Sequence, residues 1–253
     1  MVEFIVETVQ KLLKGEDFNS LNEIISNSLY IESCCSIIED DETYNFSIRF
    51  NVSNGMLFEL IKKYASFFSD EKFEELDSFF LRLLSNEESI SRPNSIFTNS
   101  ILANSIGRCY GCLLYSYRKS DKDVEDSFLN IYERINDIMN TSVNHQIACM
   151  NVFSGICQFF GSLSEMNVRF KAEPMVDLAF KAASTVFQEE KLSKEVELIQ
   201  TSLTLLNNYL LMYSKSVNSG RLEDDIAQFS ISKGIPTTSL NHFFSPQFLQ
   251  SFL

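Results

Sequence analysis

The stretch VEDSFLNIYERINDI, residues 124–138, decides the fold. Its apolar side chains Val124, Phe128, Ile131, Ile135 and Ile138 stand 4, 3, 4 and 3 positions apart. That spacing gathers them into one stripe on an α-helix. VELIQTSLTLLNNYLLMY, residues 196–213, repeats the pattern with Val196, Ile199, Leu203, Leu206, Leu210 and Tyr213. Short polar breaks separate such runs, and nothing between them reads as a strong strand. Helices that come in pairs and cannot bury their stripes alone predict an all-α, HEAT-like helical-repeat superhelix, an α-α solenoid.

Working outward, helices are expected at about 2–13, 18–28, 31–38, 52–67, 70–84, 95–117, 122–139, 145–163, 174–189 and 194–213. They group into about five pairs, 2–28, 31–67, 70–117, 122–163 and 174–213, in a single array over 1–253. Gly15 is placed to end the first helix, since it tolerates positive φ. In 43–50, Tyr44, Phe46, Ile48 and Phe50 alternate with polar residues. That is the period of a strand, and the segment reads as an irregular insertion. Ala103, Gly107 and Gly111 recur every fourth residue within 95–117. Each internal glycine costs about 1 kcal/mol relative to alanine, so the row predicts a neighbouring helix packed very close. Residues 214–244 form a long acidic loop, and 245–253 look like the start of a sixth pair. A terminal repeat needs a polar cap. The array is therefore expected to continue naturally, to be truncated, or to lay its end on a partner.

The chain carries a formal net charge of −13. Such a chain repels nucleic-acid phosphates and anionic lipid and suits a basic protein partner, although solubility alone would also account for the charge. No apolar run approaches the roughly 20 residues that span a bilayer. The six cysteines, Cys34, Cys35, Cys109, Cys112, Cys149 and Cys157, fall in apolar helical stretches and read as reduced, intracellular core residues. Cys109 and Cys112 form a C-x-x-C, but mid-helix rather than after a strand. Neither His145 nor His242 has metal-ligand spacing or a nucleophile motif around it. No phosphate loop and no carboxylate pair in apolar surroundings is present. The expectation is a protein that acts by binding, without enzymatic activity, metal or cofactor.

Asparagine is a modest helix former, yet Asn51, Asn54, Asn99, Asn104, Asn144 and Asn151 fall within or at the start of second helices of pairs. With Arg108 they are the candidate partner contacts, a polar inner face of a curved array. A general bias of this chain towards Asn and Ser would produce the same pattern.

Several stretches resemble the N-terminal part of importin-β-type nuclear transport receptors, most of all their exportin-seven branch. LTLLNNYLLMYSKS (203–216), an acidic linker and IPTTSLNHFFSPQFLQSFL (235–253) are similar to that branch's leucine- and asparagine-rich helix, acidic loop, I-P-T-S-type turn and helix with paired aromatics. NHQIACMNVFSGICQFFGSLSEMN (144–167) and RFKAEPMVDLAFKAASTVF (169–187) resemble the preceding helix, linker and next helix, with Phe170, Lys171 and Asp177 on the pattern. The tryptophan that the branch carries after the turn is missing here; Asn241 or His242 stands near its place. The likeness is diverged, thinnest before Ser95, and has no counterpart for 43–50.

The resemblance implies a monomeric receptor shuttling between nucleus and cytoplasm. It would bind Ran-GTP, a cargo protein and Phe-Gly nucleoporins, with no direct nucleic-acid contact and no membrane insertion. The alternative is a helical-repeat scaffold subunit of a larger assembly that does not bind Ran.

Overall fold

The computed structural model describes residues 1–16, 18–90, 92–117, 121–139, 142–163 and 192–214. Among these every regular element is a helix, so the fold is all-α. The elements are α1 (Val2–Leu13), α2 (Phe18–Ile24), α3 (Tyr30–Glu39), α4 (Phe46–Asn51), a π-helical stretch (Val52–Leu57), α5 (Phe58–Tyr64), α6 (Asp70–Ser85), α7 (Ser100–Tyr117), α8 (Asp121–Met139), α9 (Val143–Ser162) and α10 (Leu192–Ser214). The expected helix at 174–189, residues 215–244 of the acidic loop and the closing stretch 245–253 lie outside the described residues.

Helix ends follow local chemistry. Gly15, at φ 78°, stops α1. Its N–H donates to the Leu12 carbonyl at 2.9 Å while Glu16 N–H reaches Lys11 at 2.9 Å, which satisfies two orphan carbonyls. The Ser69 and Ser142 hydroxyls accept from Lys72 N–H at 3.2 Å and His145 N–H at 3.3 Å, capping α6 and α9. Asn99 Oδ1 accepts from Leu102 N–H at 3.1 Å and starts α7 there, later than the expected Ser95.

Residues 43–50 are not an irregular insertion. Asn45 Oδ1 accepts the Ile48 N–H at 3.1 Å and opens α4. Phe46 and Phe50 are also four residues apart, and their rings stack at 5.6 Å. Ile48 and Arg49 turn into the core instead. The helix expected from Val52 therefore begins six residues earlier and passes through the π-helical stretch, where Phe58 N–H donates to Ser53 C=O in the i→i−5 pattern.

The helices stack in two layers. α3, α6 and α8 follow one another in the first layer and are bridged by ion pairs. Lys72 meets Glu32 at 3.0 Å, Arg82 meets Glu39 at 2.6 Å, and Arg134 meets Asp77 at 2.7 Å. α5, α7, α9 and α10 follow one another in the second layer, each packed on the next. The predicted stripe of α8 is buried at Val124, Phe128, Ile131 and Ile135. Phe128 tilts against Phe153 of α9 at 5.2 Å and Tyr209 of α10 at 6.2 Å.

The stripe expected on α10 is rotated. Leu206 is buried, but Ile199 and Leu203 are only half-buried. The face against α9 instead carries Leu198, Thr201, Ser202, Leu205, Tyr209 and Met212. Two small hydroxyls lie on that face, and they let α10 approach α9. Ser202 Oγ donates to the Met150 sulfur at 3.2 Å, and Asn208 Nδ2 donates to Ser154 Oγ at 2.6 Å.

The glycine row predicts its neighbour correctly. A methyl at Gly107 would overlap the Val152 carbonyl of α9, and one at Gly111 would lie 3.2 Å from the Ile156 backbone. Gly155 completes the seam from the other side, where a methyl would overlap the Asn104 carbonyl. Only glycine allows these two backbones to approach so closely.

The segments that follow α3 and α6 also touch. Arg49 is 1% exposed, and its guanidinium donates from Nε to the Ile38 carbonyl at 2.8 Å and from Nη1 to the Asn94 carbonyl. Burial lowers its pKa to about 10, while Asp41 and Asp40 oppose that shift, so it stays charged at neutral pH. It thereby binds a free carbonyl at the end of α3 and ties the loop after α6 to it. Arg92 pairs with the buried Asp41 at 2.7 Å between the same loops. Further along, Phe97, just before α7, meets His145 of α9 edge-on at 5.1 Å.

Candidate functional site

α7 uses two adjacent faces. One carries the Ala103, Gly107 and Gly111 seam. The other, offset by one residue, carries Ser100, Asn104 and Arg108 at helical i, i+4, i+8 spacing. This polar face forms the floor of an open groove of about 740 Å³ along the second layer. Asn54 enters from the π-helical stretch, Asn151 and Gln158 from α9, and Glu197, Gln200 and Thr204 from α10. Four of the seven sequence-predicted contacts, Asn54, Asn104, Arg108 and Asn151, therefore come together although they lie on three separate helical elements, the π-helical stretch, α7 and α9.

The other three do not line it. Asn51 turns its amide back to the Ser47 carbonyl at 2.8 Å. Asn99 is the cap of α7. Asn144 sits in the first turn of α9, outside the groove lining. The separation of Asn51 from Asn54 has a local cause. In an α-helix residues three apart share a face, but the wider turn that begins at Val52 breaks that register.

Arg108 is held in place by two neutral groups. Its Nη1 donates to Asn54 Oδ1 at 2.9 Å, and its guanidinium lies over the Phe58 ring at 5.2 Å from the centroid. Asn151 is buried and donates to its own Ile147 carbonyl at 3.0 Å. Beneath the groove Ser53 and Ser105 share a hydroxyl contact, and Cys109 Sγ donates to the Ser53 carbonyl at 3.1 Å.

The C-x-x-C is part of this packing. Both sulfurs are buried mid-helix, and burial pushes the Cys112 thiol up to about 11 and Cys109 well above its ordinary value. A reactive cysteine needs the opposite shift. Burial raises Cys34, Cys149 and Cys157 as well, and Cys35 to about 12. Among the described residues no three His, Cys, Asp or Glu side chains converge as metal ligands. His145 is buried, with Nδ1 2.7 Å from the Ser142 hydroxyl, in a capping role. No helix among the described residues is long and apolar enough to cross a membrane.

Gln158, Glu197, Gln200 and Thr204 were not singled out by sequence. A signal existed: 197, 200, 201 and 204 share the helix face beside the true apolar stripe of α10, and Gln158 lies seven residues from Asn151. No protein-family model, no curated protein and no solved structure matches the chain significantly.

Proposed function

We propose that this chain is a helical-repeat recognition module that acts by binding a protein partner along its second layer of helices. The observation that carries the reading is the groove itself. Three separate helical elements, the π-helical stretch, α7 and α9, each contribute a carboxamide, Asn54, Asn104 and Asn151, to one lining. Carboxamides both donate and accept, so they suit a polypeptide better than an apolar ligand. The two layers also differ in spacing. Glycines hold α7 against α9, whereas the first layer is bridged through long charged side chains. Closer spacing in one layer bends a stack towards that layer, which supports a curved, HEAT-like superhelix with the groove inside.

The resemblance to the N-terminal part of exportin-seven-type receptors is the ground for the partner class we propose. Under this reading the chain binds Ran-GTP, carries cargo past Phe-Gly nucleoporins and moves between nucleus and cytoplasm. The net charge of −13 fits basic partner surfaces. The test is capture of Ran by the immobilised chain. Ran loaded with GTP is expected to bind, Ran loaded with GDP is not, and Arg108→Glu should weaken the capture. Equal capture of both forms, or of neither, would remove the transport reading and leave a scaffold array without Ran binding.

A further inference from the structure

We infer that the groove receives an extended segment of the partner that presents an acidic side chain to Arg108 and a basic one to Glu197. This rests on the recognition reading above and adds the chemistry of what enters the groove. Among the described residues that line it, Arg108 is the one cation and Glu197 the one anion. Neither is in an ion pair with a described residue. Arg108 is positioned by neutral groups, the Asn54 carbonyl oxygen and the Phe58 ring, so its charge is oriented yet uncompensated. A guanidinium fixed in this way favours a carboxylate, which it can engage with two parallel N–H donors. Apart from Phe50 and Ile101, the rest of the lining is carboxamide and hydroxyl, suited to a backbone that brings its own donors and acceptors.

The spacing follows from the packing. Gly107 lies at Val152 and Gly111 at Ile156, so α7 and α9 run parallel. Met150 meets Ser202 and Ser154 meets Asn208, so α10 runs parallel to both. Glu197 therefore lies about nine residues, or ~13 Å, nearer the helix N-termini than the level of Arg108. It is also two helix steps of about 8 Å to the side. The two charges are about 20 Å apart on the diagonal. An extended chain rises ~3.3 Å per residue, so the complementary charges stand about six residues apart.

The test uses fluorescein-labelled peptides of Ser, Thr and Gly carrying one Glu and one Arg at separations of two, six or ten residues, read by fluorescence anisotropy with the full chain. The six-residue separation is expected to bind most tightly. Arg108→Glu and Glu197→Arg should each weaken it at least ~10-fold. Glu197→Arg should instead prefer a Glu/Glu peptide, and Arg108→Glu an Arg/Arg peptide. Circular dichroism checks that each variant is folded, and Arg108→Gln serves if Arg108→Glu does not fold. Affinity indifferent to separation, or to both substitutions, overturns the charge readout. Capture of a protein partner through the groove without binding of any peptide overturns this inference alone. Failure of both overturns the recognition reading with it.

Discussion

Replacing Gly107 with alanine isolates the contact that spaces the second layer. The new methyl would overlap the Val152 carbonyl, which is backbone and cannot rotate away. α7 and α9 must part, and opening a packed seam by 0.5–1 Å forfeits about a quarter to a half of each atom pair's dispersion attraction. Overpacking of this kind costs about 1–3 kcal/mol and more where backbone is the obstacle. Alanine returns about 1 kcal/mol of helix propensity. The net expectation is a loss of about 2 kcal/mol, or a fall of about 4–8 °C in Tm for a chain of this length. Gly55→Ala is the control, because nothing lies within 4 Å of its added methyl; it should be neutral or gain up to ~1 kcal/mol. Gly155→Ala should resemble Gly107→Ala. The double variant should lose less than the sum by more than ~0.5 kcal/mol, since helices already parted accept the second methyl cheaply. Thermal and urea unfolding read all four. If Gly107→Ala is as stable as Gly55→Ala, the two helices are not held together as described.

Arg49→Met should cost about 3 kcal/mol or more in urea unfolding, because the Ile38 and Asn94 carbonyls lose their donors. Arg49→Lys should recover only part, since a compact ammonium lacks the planar, widely spaced donors that reach both carbonyls. Asn45→Ala should cost about 1 kcal/mol through loss of the α4 cap at Ile48. A loss below about 0.3 kcal/mol would contradict the helical reading of 43–50. The buried thiols predict alkaline sensitivity. Their ordinary pKa is 9.0, and Cys112 is held up to about 11 when folded. Between these values the unfolded chain releases a proton that the folded chain keeps, so stability is complete below pH 9 and falls as pH rises towards 11. The slope is up to about 1.4 kcal/mol per pH unit for that thiol. Cys112→Ala should flatten the fall, measured as unfolding midpoints from pH 8 to 11.

Much of the fold was readable because burial in a helix imposes a period. The stripe at Val124, Phe128, Ile131 and Ile135 is fully buried, and the glycine row announced a close neighbour without saying which helix it was. Two readings went astray for physical reasons. In 43–50 the alternation of aromatics overlaid an i, i+4 pair, Phe46 and Phe50, and period two cannot be separated from it in so short a run. The deciding residue was Asn45, whose cap forms only if α4 does. On α10 the apolar residues cover more than one face. Choosing the most hydrophobic stripe missed that a close helix contact favours small side chains such as Ser202 over larger ones.

Four of the groove's thirteen lining residues were legible because polar residues on a helix share the period of the core stripe beside them. What joins them is not in any one helix. Asn104 and Arg108 become neighbours of Asn151 only because Gly107, Gly111 and Gly155 remove the side chains that would hold α7 and α9 apart. Asn54 joins them because the π-helical turn rotates it away from Asn51 and within 2.9 Å of Arg108. The shape of the groove and the packing are thus coupled in this layer. A methyl at Gly155 would press on the Asn104 carbonyl and the Arg108 N–H, the latter at 2.9 Å, the very backbone that carries two groove side chains. Gly155→Ala should therefore weaken partner binding beyond its loss of stability, even though Gly155 does not line the groove.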